Sequence, residues 1–315
     1  MGSPFLHRAC LAILALSFLG LLVPLGFAQN TPAPKIDVMV VPDIAIQTED
    51  YAEARKTFHT NLLRKGSAPH QECKDSKAPV GVAEVFFPSD GLHLRAWLNR
   101  PSSESKKKSP AVLFLHSGFC FDESDWEETK AFRGAGFVVM LPNQRGENGQ
   151  PGNYTMFYDE VDDVISAAEY LRQQSFIDET KLYIAGASTG GTLTMLTALT
   201  YPHFRAAASF CGSPDAVGYT RHALAIGAES DIPFDFRDAR ELQFRSARVY
   251  ATSFKCPTRL YYGTEEKHFA ISTQPTATLA REHGLDVQAV AVEGGHNSPE
   301  DAEIRMAIAF FHEAK

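Results

Sequence analysis

Cysteine is scarce in this chain, which has five cysteines among 315 residues. No two of them show the Cys-x-x-Cys spacing of a zinc or redox motif, and no His/Cys cluster has the spacing of zinc ligands. The sequence therefore predicts neither a disulfide scaffold nor a structural metal site. It also implies no cofactor.

A surplus of basic residues is absent as well. The chain has 30 Lys and Arg against 38 Asp and Glu, which gives a formal net charge of −8. This balance argues against a nucleic-acid partner, because such proteins neutralise phosphates with clustered Lys and Arg. Internal repeats and low-complexity tracts are also lacking. With 44% hydrophobic residues, the chain can bury a sizeable core.

The first 28 residues have the pattern of a signal peptide. One arginine precedes an uncharged run from Ala9 to Ala28, which ends Gly26-Phe27-Ala28 with small residues at positions −3 and −1. The sequence predicts cleavage after Ala28, export to the periplasm or the extracellular space, and no integral span afterwards. An uncleaved N-terminal membrane anchor is the alternative, because a run of this length can just cross a bilayer.

After this segment we predict a linker and a helix in residues 29–80, the helix from Glu49 to Lys65. A hairpin follows, and strands then alternate with helices over residues 81–315, which predicts an α/β domain with a mostly parallel sheet and helices on both faces. Residues 213–254 interrupt this alternation and predict a small cap insertion. The predicted strands are Val82–Phe87, Leu92–Leu98, Ala111–Leu115, Phe137–Leu141, Leu182–Ala187, Ala206–Phe210, Arg259–Tyr262 and Val287–Val292.

The most informative motif is Gly-x-Ser-x-Gly at residues 186–190. It follows a predicted strand and precedes a predicted helix, the context in which a tight turn exposes a nucleophilic serine above the sheet. Gly186 and Gly190 leave room for the turn. A plain glycine-rich turn is the alternative, but the flanking strand and helix favour Ser188 as a nucleophile.

A serine nucleophile requires a base and an acid. His296 lies in a Gly-flanked loop directly after the last predicted strand, which makes it the expected base. Glu266 follows the preceding strand and is the expected acid, with Glu265 and Asp215 as alternatives.

The oxyanion hole and the substrate pocket are predicted from the loops around Ser188. The backbone N–H of Thr189 is the expected first donor to the oxyanion. Gly118 or Phe119, in the loop after the Ala111–Leu115 strand, is expected to supply the second. Aromatic and polar residues of the cap are candidates for the pocket, namely Tyr219, His222, Phe234 and Phe236.

Together these residues resemble the α/β-hydrolase superfamily, whose chain order of nucleophile, acid and base matches Ser188, Glu266 and His296. Within it the chain is similar to prolyl oligopeptidase-type catalytic domains and their dienelactone-hydrolase-like relatives. Asn143-Gln-Arg-Gly-Glu-Asn-Gly149 resembles that group's Asn-x-Arg-Gly-x-x-Gly loop. Cys256, before Pro257, stands where such domains often have a cysteine, which implies a free buried thiol.

Three features depart from this resemblance. The acid is Glu where the family usually has Asp, and Ser117 stands where relatives commonly have glycine. Residues 29–80 are too few for the β-propeller that gates oligopeptidase substrates, so no propeller is expected.

The expected activity is that of an exported serine hydrolase that cleaves carboxylic esters through an acyl-serine. Its partner would be a small-molecule ester; a short peptide or amide is the alternative substrate. A non-catalytic binding protein on the same fold is the alternative from another class, and the complete set of Ser, His and acid argues against it. The oligomeric state is not predicted.

Overall fold

The computed structural model describes residues 38–73, 75–101, 107–296 and 300–314. The predicted signal peptide, residues 1–28, therefore lies outside the described residues. In the part of the chain that is described, no helix is both long enough and apolar enough to cross a membrane.

Eight strands of the described residues form one sheet, in the order β1-β2-β4-β3-β5-β6-β7-β8. β1 pairs with β2 and β2 with β4 in antiparallel fashion, whereas all other pairs are parallel. This arrangement confirms the predicted mostly parallel sheet with an N-terminal antiparallel hairpin. The strands are β1 Ala83–Ser89, β2 Leu92–Leu98, β3 Ser109–Leu115, β4 Val138–Pro142, β5 Ile177–Ala187, β6 Ala206–Phe210, β7 Thr258–Gly263 and β8 Val287–Val292.

Helices cover both faces of this sheet. The α-helices of the described residues are α1 Tyr51–Arg55, α2 Glu123–Glu128, α3 Lys130–Gly134, α4 Glu160–Arg172, α5 Thr189–Ala198, α6 Ala216–Ala225, α7 Ala239–Gln243, α8 Lys267–Glu282 and α9 Glu300–Glu313. The predicted insertion, residues 213–254, contains α6 and α7. One 3₁₀ turn lies between them and another follows α7.

Alternating side chains of the central strands enter two separate cores, one on each face. In β5, Leu182 and Ile184 join one core, whereas Tyr183 and Ala185 join the other. A strand buried on both faces has no polar face to present, which explains the wholly apolar runs in the sequence. Function is therefore expected at the strand ends, where the polar loops lie.

The N-terminal helix is much shorter than predicted. It begins after Asp50, whose carboxylate accepts from the N–H of Ala52 at 2.9 Å, and it ends at Arg55. The predicted continuation to Lys65 is wrong because the backbone beyond it bonds to the insertion instead: Asn61 N–H donates to Glu241 at 2.7 Å, and Leu62 forms a bridge with Phe234. This segment packs on the domain through such contacts.

Candidate active site

Ser188 lies in a sharp turn between β5 and α5. Its φ of +52° is uncommon for a residue with a side chain, and its N–H donates to the Phe210 carbonyl at 2.8 Å, which ties the turn to β6. The two flanking glycines are required by contact: a Cβ at Gly186 would lie 2.5 Å from the Gly190 carbonyl oxygen, and one at Gly190 would lie 2.5 Å from the His116 carbonyl oxygen. The turn has the geometry of a nucleophile elbow.

His296 bridges Ser188 and Glu266. Its Nε2 lies 3.1 Å from Ser188 Oγ, and its Nδ1 lies 2.7 Å from Glu266 Oε1. Glu266 is buried and follows β7, and His296 follows β8. The two loops meet closely because Gly263, at the end of β7, has no side chain; a Cβ there would lie 2.5 Å from the Gly294 carbonyl oxygen.

The other two acids considered lie elsewhere. The adjacent Glu265 is exposed, and its N–H donates to the Gly294 carbonyl at 3.0 Å. Asp215 is the N-cap residue directly before α6; its carboxylate accepts from Val217 N–H at 3.2 Å and pairs with Arg248 at 3.3 Å. Of the three predicted candidates, Glu266 is therefore the one that the structure places against His296.

The predicted oxyanion residues lie together at the start of α5. The Thr189 hydroxyl donates to the Gly118 carbonyl at 2.7 Å, so the loop after β3 is held against the helix that follows Ser188. Gly118 has a φ of +74°, a conformation that glycine adopts without strain. The N-terminus of α5 carries partial positive charge, which favours an anion beside Ser188.

A disulfide that the sequence analysis did not pair supports this loop. Cys73 is bonded to Cys120, the residue after Phe119, and Gln71 donates to the Phe119 carbonyl at 2.5 Å. Asn148 joins the same network. Its amide donates to the carbonyls of Cys73 at 3.0 Å and Phe121 at 2.9 Å. No spacing rule pairs these cysteines, since 47 positions separate them. Cys256 is a free buried thiol, as the resemblance implied.

His116, at the start of the same loop, forms a buried pair with Glu147. Its Nε2 lies 3.0 Å from Glu147 Oε2, and both side chains are almost fully shielded from solvent. Burial lowers the pKa of His116, but the Glu147 carboxylate more than offsets this effect, and the pKa is raised to about 9. His116 is therefore an imidazolium at neutral pH, and the ion pair joins the oxyanion loop to the 143–149 loop.

A narrow cavity opens beside Thr189. It is lined by both loops and by the turn that leads into α4, through His116, Gly118, Phe119, Gln144, Glu147, Tyr154, Phe157, Glu160, Thr189, Gly190 and Leu193. The turn is strained, because Met156 and Phe157 have φ values of +55° and +71°. Glu160 and Arg245 hold it: the carboxylate accepts from Thr155 N–H at 2.6 Å, and the guanidinium donates to the Met156 carbonyl at 2.7 Å.

The four cap residues predicted for the pocket are not among the residues that line this cavity. Phe234 is buried, with Arg245 Cζ 3.9 Å from the centroid of the Phe234 ring, and Phe236 is buried as well. His222 is exposed on α6. The ring of Tyr219 meets the ring of Phe157, which lines the cavity, edge-on at 6.1 Å. The strained turn that lines the cavity was missed because no sequence pattern marks positive φ at Met156 and Phe157.

A wider surface cleft of about 590 Å³ lies at the opposite end of the parallel strands. It is lined by residues that precede β6 and β7, among them Phe204, Arg205 and Pro257. Ser188, His296 and Glu266 all follow the carboxyl ends of their strands. The cleft is therefore remote from them and has no part in the chemistry considered for Ser188.

Comparison with known proteins places these observations in a family. The sequence model of the prolyl oligopeptidase family matches residues 123–297, more than half of the chain. The chain is 37% identical over 187 residues to the uncharacterized peptidase YtmA of Bacillus subtilis, covering 59% of this chain and 66% of that protein. It spans less than a third of the length of the first curated relatives that it matches.

Solved structures with the same fold carry different enzyme names. The Pyrococcus horikoshii acylaminoacyl peptidase is 21% identical, with a TM-score of 0.61 over 74% of this chain and 41% of that chain. Thermogutta terrifontis esterase 2 is 18% identical, with a TM-score of 0.58 over 75% and 96%. A structure described as a dienelactone hydrolase, from Klebsiella pneumoniae, is 14% identical, with a TM-score of 0.55 over 74% and 98%.

These likenesses confirm the predicted α/β-hydrolase fold and the predicted resemblance. The solved structures are less than 25% identical and therefore establish the fold alone, whereas the match of the family model covers the segment from α2 to the loop that carries His296. That segment includes Ser188 and Glu266. The chain belongs to the prolyl oligopeptidase family of serine hydrolases.

Proposed function

We propose that this chain is an exported serine hydrolase that cleaves carboxylic esters through an acyl-serine intermediate. The observation that carries the proposal is the continuous contact from Ser188 Oγ to His296 at 3.1 Å and from His296 to Glu266 at 2.7 Å. A serine hydroxyl at neutral pH is a weak nucleophile without such a base.

In the proposed reaction, His296 Nε2 takes the Ser188 proton as Oγ attacks the substrate carbonyl. Glu266 accepts the hydrogen bond of Nδ1–H, which leaves Nε2 unprotonated in the resting tautomer and stabilises the imidazolium that forms. The N–H groups of Thr189 and of Gly118 or Phe119 stabilise the oxyanion. His296 then protonates the leaving group, and water releases the acid by the same steps.

Esters are the first substrate class of this proposal and short peptides or amides the second. The same triad serves both, but an alkoxide leaving group requires less protonation by His296 than an amine does. The esterase among the solved structures is matched over nearly its full length, which supports the first class. The second is supported by the name of the Bacillus relative, a peptidase.

Export is supported by two independent features. The segment Met1–Ala28 has the pattern of a signal peptide. The disulfide Cys73–Cys120 is a bond that persists in oxidising compartments and is rare in the cytosol of mesophiles. Sequencing the N-terminus of the exported protein tests this part. Gln29 is the expected first residue, and an intact Met1 would contradict cleavage.

The substrate class is tested by presenting one acyl group with two leaving groups. The purified protein is assayed with p-nitrophenyl esters of short acids and with the p-nitroanilides that carry the same acyl groups, beside aminoacyl anilides. We expect kcat/KM for the esters to exceed that for the anilides by more than the difference in their uncatalysed rates. A preference for aminoacyl anilides would move the assignment to the peptidase class. Hydrolysis of neither, by folded protein, would contradict the proposal.

A further inference from the structure

Side chains that could bind a metal ion surround His296. Cys211 follows β6 directly, and its thiol, one nitrogen of His296 and one carboxylate oxygen of Glu266 all lie within 4.8 Å of one another. Glu303, buried on α9, extends the cluster, since the Cys211 thiol donates to its Oε1 at 3.6 Å. The mechanism uses His296 and Glu266, but it has no use for the thiol or for the second carboxylate.

The distances are close to those of a zinc site. Thiolate, imidazole and carboxylate ligands lie at about 2.0–2.3 Å from Zn²⁺, so neighbouring ligands of a tetrahedral ion are roughly 3.5 Å apart. Here His296 Nδ1 and Glu266 Oε1 are 2.7 Å apart, and Cys211 Sγ and Glu303 Oε1 are 3.6 Å apart. The ligand atoms of Cys211, His296 and Glu266 are at most 4.8 Å apart, so movements of about 1 Å would bring these three onto one ion, and Glu303 reaches the group through its contact with Cys211.

The cluster also has unused capacity to bind a cation. Glu266 is buried, and among the described residues its Oε2 has no hydrogen-bond partner. Its ion pair among those residues is with His296. The Cys211 thiol and the buried carboxylates of Glu266 and Glu303 place anionic ligands around one point, which favours a cation, and a bound metal ion deprotonates a thiol outright.

We propose that Cys211, His296 and Glu266, with Glu303 as the fourth ligand, form a binding site for a thiophilic divalent cation such as Zn²⁺, and that the bound ion switches the hydrolase off. One proton leaves on binding, from the thiol, while the proton of His296 shifts from Nδ1 to Nε2. The metal-ligated Nδ1 fixes the tautomer in which Nε2 carries the proton. Such a histidine donates to Ser188 Oγ and no longer accepts its proton.

The ligand set selects the ion. A thiolate and an imidazole suit Zn²⁺ and Cd²⁺, whereas Mg²⁺ and Ca²⁺ require oxygen ligands. We expect micromolar Zn²⁺ to inhibit ester hydrolysis reversibly, with recovery on chelation, while millimolar Mg²⁺ leaves the rate unchanged. This inhibition rests on the proposed function, because it acts by removing His296 as the base, but the binding of metal does not.

Binding is therefore measured without reference to activity. The full exported chain, freed of metal by chelation and buffer exchange, is titrated with Co²⁺, which gives a thiolate-to-metal charge-transfer absorption band when cysteine is a ligand. We expect the band in the wild type and in Cys256→Ser, the matched control with the other buried free thiol. We expect no band in Cys211→Ser and, for Glu303→Gln, binding weakened by at least about 10-fold.

Inhibition by Zn²⁺ is then compared, each variant being normalised to its own rate without metal. The concentration for half-inhibition should rise at least about 10-fold in Cys211→Ser and should not change in Cys256→Ser. Absence of a Cys211-dependent band would overturn the site even in an active enzyme, and so would equal inhibition of wild type and Cys211→Ser. If folded wild type shows the band but hydrolyses nothing, the metal site stands and the proposed function fails. If Cys211→Ser does not fold, Glu303→Gln carries the test.

Discussion

The two sides of Ser188 are assembled in different ways. On the oxyanion side, the loop after β3 is tied to the rest of the domain by the Cys73–Cys120 disulfide, by the amide of Asn148 and by the buried His116–Glu147 pair. On the other side, Glu266 and His296 are brought together by the loops after β7 and β8, which pack closely at Gly263 and Gly294 and are not joined by a disulfide. We infer that the donors for the oxyanion are held rigidly, whereas the base is held by close packing and one charged hydrogen bond.

Removing the charge that orients His296 should have the largest effect on activity. We expect Glu266→Gln to lower kcat by about 10³- to 10⁴-fold, because the amide neither fixes the tautomer nor stabilises the imidazolium. The matched control is Glu265→Gln, the exposed neighbour, for which we expect less than a twofold change in ester hydrolysis. The reverse ranking would move the acid to Glu265.

Gly263→Ala tests the close packing on the same side. The added Cβ would lie 2.5 Å from the Gly294 carbonyl oxygen, so the loop that carries His296 must move. A shift of about 1 Å in a reacting group can cost about 10²-fold in rate, and we expect kcat to fall by roughly that factor. Gly134→Ala is the control, since nothing lies within 4 Å of its added Cβ. Equal rates for both variants would refute the packing argument.

Removing the disulfide tests the oxyanion side. Cys73→Ser/Cys120→Ser opens a loop of 47 residues, and we expect the free energy of unfolding to fall by about 2–4 kcal/mol. Because the freed loop carries Gly118 and Phe119, we also expect kcat to fall by about 10-fold with little change in KM. Denaturant unfolding and ester kinetics measure the two effects, with Cys256→Ser as the control. Unchanged kcat in the folded double variant would show that hydrogen bonds alone position the loop.

The smallest effect is expected from a change of pH, which alters the free energy of unfolding. The pKa of His116 is raised to about 9, so its contribution to stability is complete below about pH 6.5 and is lost as the pH rises through 9. Burial raises the pKa of Glu160 from about 4.5 to about 7, so its ionisation also lowers stability as the pH rises, but at lower pH, between about 4.5 and 7.

The free energy of unfolding should therefore fall between pH 6.5 and 9, by up to about 1.4 kcal/mol per unit for one group. The slope should be shallower in His116→Gln and unchanged in His93→Gln, an exposed histidine. Parallel slopes for the wild type and His116→Gln would show that the pair is neutral.

The sequence predicted the positions of the strands along the chain and those of Ser188, Glu266 and His296, because strand ends and the glycines beside them are local signals. It did not predict the hydrogen bonds of Asn148, the Cys73–Cys120 disulfide or the strained turn at Met156 and Phe157, because these depend on contacts between distant segments. The same reason explains the short N-terminal helix, whose local periodicity is overridden by bonds to Glu241. It also explains why the sequence did not place Cys211 beside His296, since no spacing rule connects the two residues.

An active-site-directed probe reports whether Ser188 is a nucleophile activated by His296. The mature chain is treated with a fluorophosphonate, and the modified peptide is identified by mass spectrometry, beside Ser188→Ala and the exposed control Ser230→Ala. We expect one label on Ser188 in the wild type and in Ser230→Ala, with ester hydrolysis lost in proportion to labelling. Absence of label on Ser188 in folded wild type, or equal labelling of Ser188→Ala, would contradict the account.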